Sequence, residues 1–360
     1  MAMIDVQNLS YTYPAAPLPA LADLSFSVEA GERIAVMGGN NAGKSTLCLA
    51  LAGYLPRTFR GAFHGQVVVA GLEMDQALRV DIVRQVGIVL QNPFHQISGA
   101  RYTVEEEIAF GLENLGIERP VMHERVREVM EQVGITALAK RAPLALSGGQ
   151  QQMVAIASML ALKPRVLVLD EPLSQLDPAA SERVMDVLQT LHSQGVTVVL
   201  VEHRAEMVAR FADRIFMLAA GKILLTGAPD EVFGSPLFDR SGATLPRVTS
   251  LARAARDTGL WPSDWPLPAR VEGAEAGFRA VREKALPLPK GNSRLAPDPF
   301  ATGAIQVQVD RLTHVYPDGT QALQEVSLVF HAGERTAVMG HNGAGKTTLV
   351  RHLNGLLLPT

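Results

Sequence analysis

Cysteine occurs once in this chain of 360 residues, at Cys48, so no disulfide can form within it. A lone thiol is compatible with a reducing compartment, and on the helix expected there it reads as a small core hydrophobe. Long apolar runs are also missing. The longest, around Arg165–Leu169 and Gly195–Val201, have the length of strands. They fall far short of the roughly 18 residues that span a bilayer. Positive charge is not in surplus. Lys and Arg number 33 against 36 Asp and Glu, a formal net charge of −3. That argues against nucleic-acid binding through a basic face. The first residues, Met1-Ala2-Met3-Ile4-Asp5, have neither a basic segment nor an apolar core, so no signal peptide is expected. With 47% hydrophobic and 19% charged residues, the composition is that of an ordinary globular chain, and the length suggests two or three domains.

What is present is a repeat. Residues 30–38 read AGERIAVMG and residues 332–340 read AGERTAVMG. Each runs into a glycine-rich loop ending in Lys and a hydroxyl residue. The first is Gly38-Gly39-Asn40-Asn41-Ala42-Gly43-Lys44-Ser45; the second is Gly340-His341-Asn342-Gly343-Ala344-Gly345-Lys346-Thr347. A repeated sequence unit implies a repeated structural unit. Both loops fit the phosphate-binding P-loop pattern, which is credible where a strand precedes and a helix follows. The expectation is a matching strand before each loop.

Alternation and short apolar runs predict strands at Met3–Asn8, Leu24–Val28, Ile34–Met37, Gln66–Val69 and Val86–Leu90, with a helix over 43–53. Between about 92 and 146 apolar residues take helical spacing, as in Val104, Ile108 and Leu112, so a helical insert is expected. Strands at Arg165–Leu169, Val196–Val201, Ile215–Ala219 and Lys222–Thr226 then surround a helix over Ala179–Ser193. Strands alternating with helices predict an α/β fold with a mainly parallel sheet. Nine prolines lie between Pro236 and Pro299. Short helices are expected at Val248–Asp257 and Ala274–Lys284, and an open linker at Lys290–Gly303. The domains expected are therefore 1–235, an extension and linker over 236–303, and the beginning of a second copy over 304–360.

The first loop would cradle phosphate with its backbone N–H groups at a helix N-terminus. Lys44 would reach the β- and γ-phosphates and Ser45 would ligate Mg²⁺, with Thr46 next along the helix. Asn41 stands where the second copy has Gly343; Asn tolerates positive φ better than other non-glycine residues. Gly340, Asn342, Gly343, Gly345, Lys346, Thr347 and Thr348 repeat the arrangement, with Thr347 as the second Mg²⁺ candidate. The apolar strand before Asp170-Glu171 places one carboxylate to hold Mg²⁺ and the next to take a proton from water. A strand ending in solvated acids is common, and the upstream P-loop is what favours the functional reading. Leu146-Ser147-Gly148-Gly149-Gln150 is a glycine-rich turn opening a helix. It is a second potential anion site, or simply a helix capped by Ser147.

This set resembles the ATP-binding-cassette ATPases, which implies a P-loop core with an antiparallel β subdomain and a helical insert. In that family LSGGQ is the signature, and it contacts the γ-phosphate of ATP held by a partner domain. The resemblance assigns Ser147, Gly148, Gly149 and Gln150 to that role. It makes Gln91 the Q-loop glutamine sensing Mg²⁺, His203 the switch histidine at the γ-phosphate, and Ser174-Gln175-Leu176-Asp177 the D-loop. Tyr13, before Pro14, sits where an aromatic stacks on adenine, and Tyr316 is its twin. Two positions depart from the pattern: Gln175, where Ala is usual, and Met153, where a basic residue is usual. The stretch from Gln91-Asn92-Pro93 to Thr103-Val104-Glu105-Glu106-Glu107 narrows the likeness to the ATPases of energy-coupling-factor importers. That implies ATP and Mg²⁺ as cofactors and a peripheral place on the cytoplasmic face of the membrane. It also implies a transmembrane coupling subunit and a substrate-binding membrane subunit. The cargo would be a vitamin, vitamin precursor or transition-metal ion. Two alternatives stand beside it: a soluble two-cassette protein acting on ribosomes, and an inactive or regulatory fragment. The first loop has Asp170 and Glu171 but no opposing signature in the second copy. Either a second cassette or a homodimer would have to supply one.

Overall fold

A computed structural model describes residues 2–284, 304–317, 319–340 and 343–359. The expected linker at Lys290–Gly303 and the site candidate Asn342 lie outside the described residues. The chain divides into two compact units. The first takes in Met1–Leu176 and continues from Ala180; the described residues from 304 onward belong to the second, as do Asp177–Ala179.

The first unit is built on two sheets. The antiparallel one joins β1 (Ile4–Thr12), β2 (Leu21–Val28), β4 (Ala62–Val69) and β5 (Leu72–Glu73) in the order β2-β1-β4-β5. The second has six strands: β3 (Arg33–Gly38), β6 (Val86–Val89), β7 (Val166–Asp170), β8 (Thr197–Val201), β9 (Arg214–Ala219) and β10 (Lys222–Gly227). Their order is β10-β9-β3-β8-β7-β6. All pair in parallel except β10, which runs antiparallel on β9. A parallel sheet covered on both faces reads as continuous apolar sequence. Every residue of β7 and β8 is buried, as that rule requires.

Helix α1 (Lys44–Leu51) follows β3 directly, and α2 (Arg79–Gln85) leads into β6. The insert contains α3 (Val104–Asn114), α4 (Arg119–Gln132) and α5 (Gly148–Ala161). Val104, Ile108 and Leu112 of α3 meet Val126, Val129 and Met130 of α4 in one apolar cluster, which also takes in Leu167, Leu169 and Leu200 of the sheet. The helical insert is thereby packed onto the strands that carry the acids. Helices α6 (Pro178–Ser193) and α7 (Ala205–Phe211) flank β8. Most expected elements are found within a few residues. Helices α2 and α7, and the helix over Pro229–Gly234, went unforeseen; with six or seven residues each they are too short for a periodic signal.

The extension does not stand apart from the first unit. Helices α8 (Pro229–Gly234), α9 (Arg247–Asp257) and α10 (Val271–Lys284) follow β10. Asp230 accepts a bond from Ala269 N–H at 2.7 Å, and Thr249 Oγ1 donates to Pro268 O at 2.6 Å. Ala269 shares an apolar cluster with Ala35 and Met37 of β3. A boundary at residue 235 therefore cuts through a packed region, and the first unit continues past it.

In the second unit β11 (Ile305–Val315) pairs antiparallel with β12 (Gln321–His331), and α11 (Lys346–Leu353) follows. The expected strand before the second loop is not formed: residues 335–340 have no regular secondary structure. Strand β3 is held between β8 and β9. Among the described residues of the second unit, β11 and β12 make the only sheet, and neither pairs with 335–340.

Candidate active site

The first loop leaves the carboxyl end of β3, in the middle of its sheet. Gly38 has φ +148, and an added Cβ would lie 2.2 Å from Leu218 O. Gly43, at φ +101, has Ala20 O as close as 2.5 Å to the same virtual atom. Only glycine fits at these two points, because the backbone of β9 and of the segment entering β2 crowds the loop. Asn41 adopts φ +61, the left-handed conformation expected of it. Gly39 N–H donates to Ser241 O at 2.9 Å, so the extension buttresses the loop from outside. No sequence signal marked Ser241, since the bond uses only its backbone.

Lys44 is buried and folds back on the loop. Its Nζ donates to Gly38 O at 3.1 Å and to Gly39 O at 2.9 Å. Burial lowers its pKa, while the nearby carboxylates of Glu171 and Asp170 oppose that shift. Asp170, the last residue of β7, is 5% exposed. Burial raises its pKa and the Glu171 charge adds to the rise; a bond from Ser45 and the charges of Lys44 and His203 work against it. Asp170 Oδ1 is buried without a hydrogen-bond partner. A buried orphan carboxylate oxygen with a serine hydroxyl on the same group suits a hydrated Mg²⁺, which favours a few oxygen ligands with water and phosphate completing the shell. Among the described residues no cluster of three or more His, Cys, Asp or Glu forms a protein-only metal cage. The residues present therefore fit Mg²⁺ held together with a nucleotide.

Glu171 follows Asp170 at φ +48, a left-handed conformation rare outside glycine. Its N–H continues the ladder to Val201 O at 3.0 Å, and the turn brings its carboxylate between two loops. Gln91 Nε2 donates to Glu171 Oε2 at 2.8 Å, and His203 Nε2 lies 2.5 Å from Oε1. Gln91, Asp170, Glu171, His203, Lys44 and Ser45, scattered through the sequence, thus converge at the carboxyl ends of β3, β6, β7 and β8. Ligands of open α/β sheets bind at such ends.

Two further residues hold the Q-loop. Gln96 accepts from Leu90 N–H at 2.7 Å and donates to Ile88 O at 2.8 Å, pairing with the free edge of β6. Glu107 of α3 accepts from Ser98 N–H at 2.6 Å and from Ser98 Oγ at 2.8 Å. Their roles were not read from sequence, because each bonds to a backbone position that sequence alone does not locate.

The signature opens α5. Ser147 Oγ accepts from Gln150 N–H at 3.4 Å, and Gln150 Oε1 accepts from Ser147 N–H at 3.1 Å, a reciprocal capping box. Gln175 lies against Gly148, where an added Cβ would be 2.8 Å from its Oε1. Met153 points into the apolar cluster of the insert. Asp177 immediately precedes α6.

Tyr13 packs edge-on against Tyr11, ring centroids 4.9 Å apart, with its hydroxyl 3.3 Å from Thr46 Oγ1. Tyr316 repeats this with His314, at 4.7 Å, and with Thr348 Oγ1, at 3.1 Å. Both tyrosines sit beside the helix that follows their loop. In the second loop Lys346 Nζ donates to Gly340 O at 2.7 Å, as Lys44 does in the first. Gly343 and Gly345 adopt φ +84 and +83, and Thr347 lies in the first turn of α11. Cys48 is in the core, where burial pushes its thiol pKa well up, so a reagent would not reach it.

A P-loop, an acidic strand end and a capped LSGGQ helix on one α/β sheet define a nucleotide-binding ATPase domain. The sequence profile of the ABC transporter family matches residues 21–174 and 323–360. The chain belongs to the ABC transporter family, and its first unit is an ABC-type ATPase domain. The energy-coupling factor transporter ATP-binding protein EcfA of Methanothermobacter thermautotrophicus is 41% identical over 261 residues, covering 72% of this chain and 81% of its own. The structure of cbiO1 from Clostridium perfringens, part of the ABC transporter complex cbiONQ, superposes with a TM-score of 0.58 at 28% identity. That match covers 71% of this chain and 94% of cbiO1. A dimeric cassette, MJ0796, bound to ADP and Pi, gives 0.57 at 25% identity, covering 63% and 99%. Curated ABC transporter ATP-binding proteins of Methanosarcina and Streptomyces match 99% of this chain, which spans 59% to 66% of their length.

Proposed function

We propose that the chain is the ATP-binding and ATP-hydrolysing subunit of a membrane importer of the energy-coupling-factor type. The observation that carries this reading is the Glu171 carboxylate, held by Gln91 on one oxygen and His203 on the other, beside Lys44 and Asp170. In this reading the loop N–H groups bind the phosphates, and Lys44 exchanges the Gly38 and Gly39 carbonyls for phosphate oxygens. Ser45, Asp170 and Gln91 would hold Mg²⁺, which would supply positive charge beside the transferred phosphoryl group. Glu171 takes the proton of the attacking water, and His203 keeps the carboxylate and the γ-phosphate in register. Ser147–Gln150 serve a nucleotide on another cassette, so two cassettes close on two ATP molecules. Asp177 lies at that junction, and Tyr13 and Tyr316 flank the bases. The dimer of MJ0796 with ADP and Pi supports this pairing.

The importer reading rests on the likeness to EcfA and cbiO1. Two exposed aromatics, Phe94 at 62% and Tyr102 at 88%, stand on the loop that starts at Gln91 and fit contact with a coupling subunit. Among the described residues no helix is long and apolar enough to cross a membrane. A separate transmembrane coupling subunit and a substrate-binding membrane subunit would supply the path, with this chain peripheral on the cytoplasmic face. The cargo class is a vitamin, vitamin precursor or transition-metal ion. The packing of Phe238, Ala269 and Arg270 within the first unit speaks against the long charged linker of a ribosome-acting protein.

The purified full chain tests the chemistry. Mg²⁺-dependent ATP turnover per molecule should rise with protein concentration, because each site needs a second cassette. A rate independent of concentration would exclude composite sites. Copurification with a hydrophobic coupling subunit encoded in the same genome tests the transport role, and failure to associate would remove it.

A further inference from the structure

We propose that Glu202 is a positioning residue that fixes His203 on Glu171, with Arg204 and Ser181 completing the brace. This rests on the hydrolysis reading above. Strand β8 ends at Val201 and α7 begins at Ala205, so three residues make the turn. Backbone N–H groups in such a turn have no ladder or helix partner and need another acceptor. Glu202 Oε1 accepts two in succession, from His203 at 2.8 Å and from Arg204 at 3.1 Å. The Arg204 guanidinium closes on the same carboxylate, Nε to Oε1 at 3.4 Å and Nη2 to Oε2 at 3.3 Å. Its Nη1 then donates to Ser181 Oγ at 3.3 Å, on α6.

Glu202 is 5% exposed and Ser181 is 1% exposed. Burying a carboxylate is costly unless it is paired and hydrogen-bonded. Here a long buried carboxylate is used: it takes the N–H of the residue whose imidazole touches the proposed base, and its other bonds lock Arg204, the next residue. The backbone of His203 is thereby tied to α6 as well as to β8. With that backbone fixed, the ring reaches Glu171 Oε1 at 2.5 Å. Loss of the brace would let the His203 loop shift, and a displacement of about 1 Å at a catalytic group costs on the order of a hundredfold in rate.

The test compares Glu202→Ala, Glu202→Gln and His203→Ala in the full chain. Glu202→Ala should lower kcat by about tenfold or more while KM for ATP stays within about threefold, the mark of an interaction used in the chemical step. Glu202→Gln keeps the acceptor oxygen and should stay within about threefold of the parent chain. In a His203→Ala background, Glu202→Ala should cost less than about twofold, since the two act as one unit. An equal cost in both backgrounds would overturn the proposal. NMR of the His203 imidazole nitrogens reads the same point without turnover: the signal bonded to Glu171 should persist in Glu202→Gln and shift in Glu202→Ala. An unshifted signal in Glu202→Ala would also overturn it. If the parent chain shows no turnover, the hydrolysis reading fails, and the imidazole signal still decides whether Glu202 positions His203. Should Glu202→Ala not fold, Glu202→Thr, with one hydroxyl acceptor, should give the same shift.

Discussion

An eight-residue run that differs between its two copies only at Ile34 against Thr336 behaves differently in each. In Gly31–Gly38 the Ala-Val-Met core is sealed, Val36 at 0% and Met37 at 1% exposure, as the third strand of a six-stranded sheet. In Gly333–Gly340 it is open, with Val338 at 41% and Met339 at 88%, and it forms no strand. Local propensity is nearly identical, so neighbours make the difference. Strand β3 pairs with β8 on one side and β9 on the other. The second loop nonetheless reproduces the first in detail: a lysine bonded back to the first glycine carbonyl and a tyrosine on the next threonine. The loop-and-helix unit is locally encoded, whereas the strand beneath it depends on tertiary pairing. The chemistry divides along the same line. Asp170 ends β7 and Glu171 follows it, with β8 between that strand and β3, and among the described residues only the first copy has such a strand.

The largest effect tests whether the first copy alone supplies the base. Glu171→Gln should lower ATP turnover by about a hundredfold to a thousandfold and leave ATP bound in a stable dimer. If half the turnover survived, a second base would be at work and the contrast between the copies would fail. Steady-state hydrolysis and gel filtration with ATP measure both.

The second test addresses the strands directly. Val36→Asp puts a carboxylate into the apolar cluster that Val36 shares with Leu47, Val168 and Val201, and should destabilise the first unit by about 4 kcal/mol or more. Val338→Asp, at a half-open position, should change stability by less than about 0.5 kcal/mol. Denaturant unfolding reads the two. Equal losses would mean that residues 335–340 are buried in solution, and the two copies would then be alike.

The P-loops, the acid pair and the capped signature were legible because each is a contiguous motif. Gly38, Gly43 and Asn41 have the backbone conformations that their positions in the motif require. The alternating and apolar runs marked the strands for the same reason: periodicity is local information. What could not be read was what reaches across the chain. Ser241 holds Gly39 from 202 positions away through a carbonyl (241 − 39), which any residue possesses. Gln96 and Glu107 act on backbone groups whose location depends on the fold. The expected strand at 335–340 failed on the same account, since its partners had to come from elsewhere. The boundary at 235 followed proline content, yet Ala269 and Arg270 tie the proline-rich stretch to Asp230, Ala209 and the core.

Asp170 offers a smaller effect of opposite sign on stability and function. Its pKa is raised chiefly by burial, so the folded, nucleotide-free state holds the proton more tightly than the unfolded chain does. The contribution is fully present below the ordinary carboxylate pKa and is lost as pH rises through the raised value. At neutral pH the ionised group is therefore a cost to the empty domain. Asp170→Asn should raise the nucleotide-free Tm by about 2 °C or more, and it should abolish the added stabilisation by ATP with Mg²⁺. A lower Tm in the empty variant would mean that the carboxylate has a structural partner there.

The smallest effect lies in the loops themselves. Asn41 at φ +61 and Gly343 at φ +84 occupy the same step of the repeat. An added Cβ at Gly343 meets nothing within 4 Å. If the loops are equivalent, Gly343→Asn should cost less than about 1 kcal/mol, because Asn visits the left-handed region through its local side-chain bonds. Asn41→Gly should lie within about 0.5 kcal/mol of the parent chain, since the strain relieved is offset by the entropy of a freer unfolded state. Asn41→Ala lacks both compensations and should cost about 1 kcal/mol. Thermal unfolding of the three variants settles the order. A loss above about 2 kcal/mol for Gly343→Asn would separate the loops, because bare backbone preference is too small to produce it.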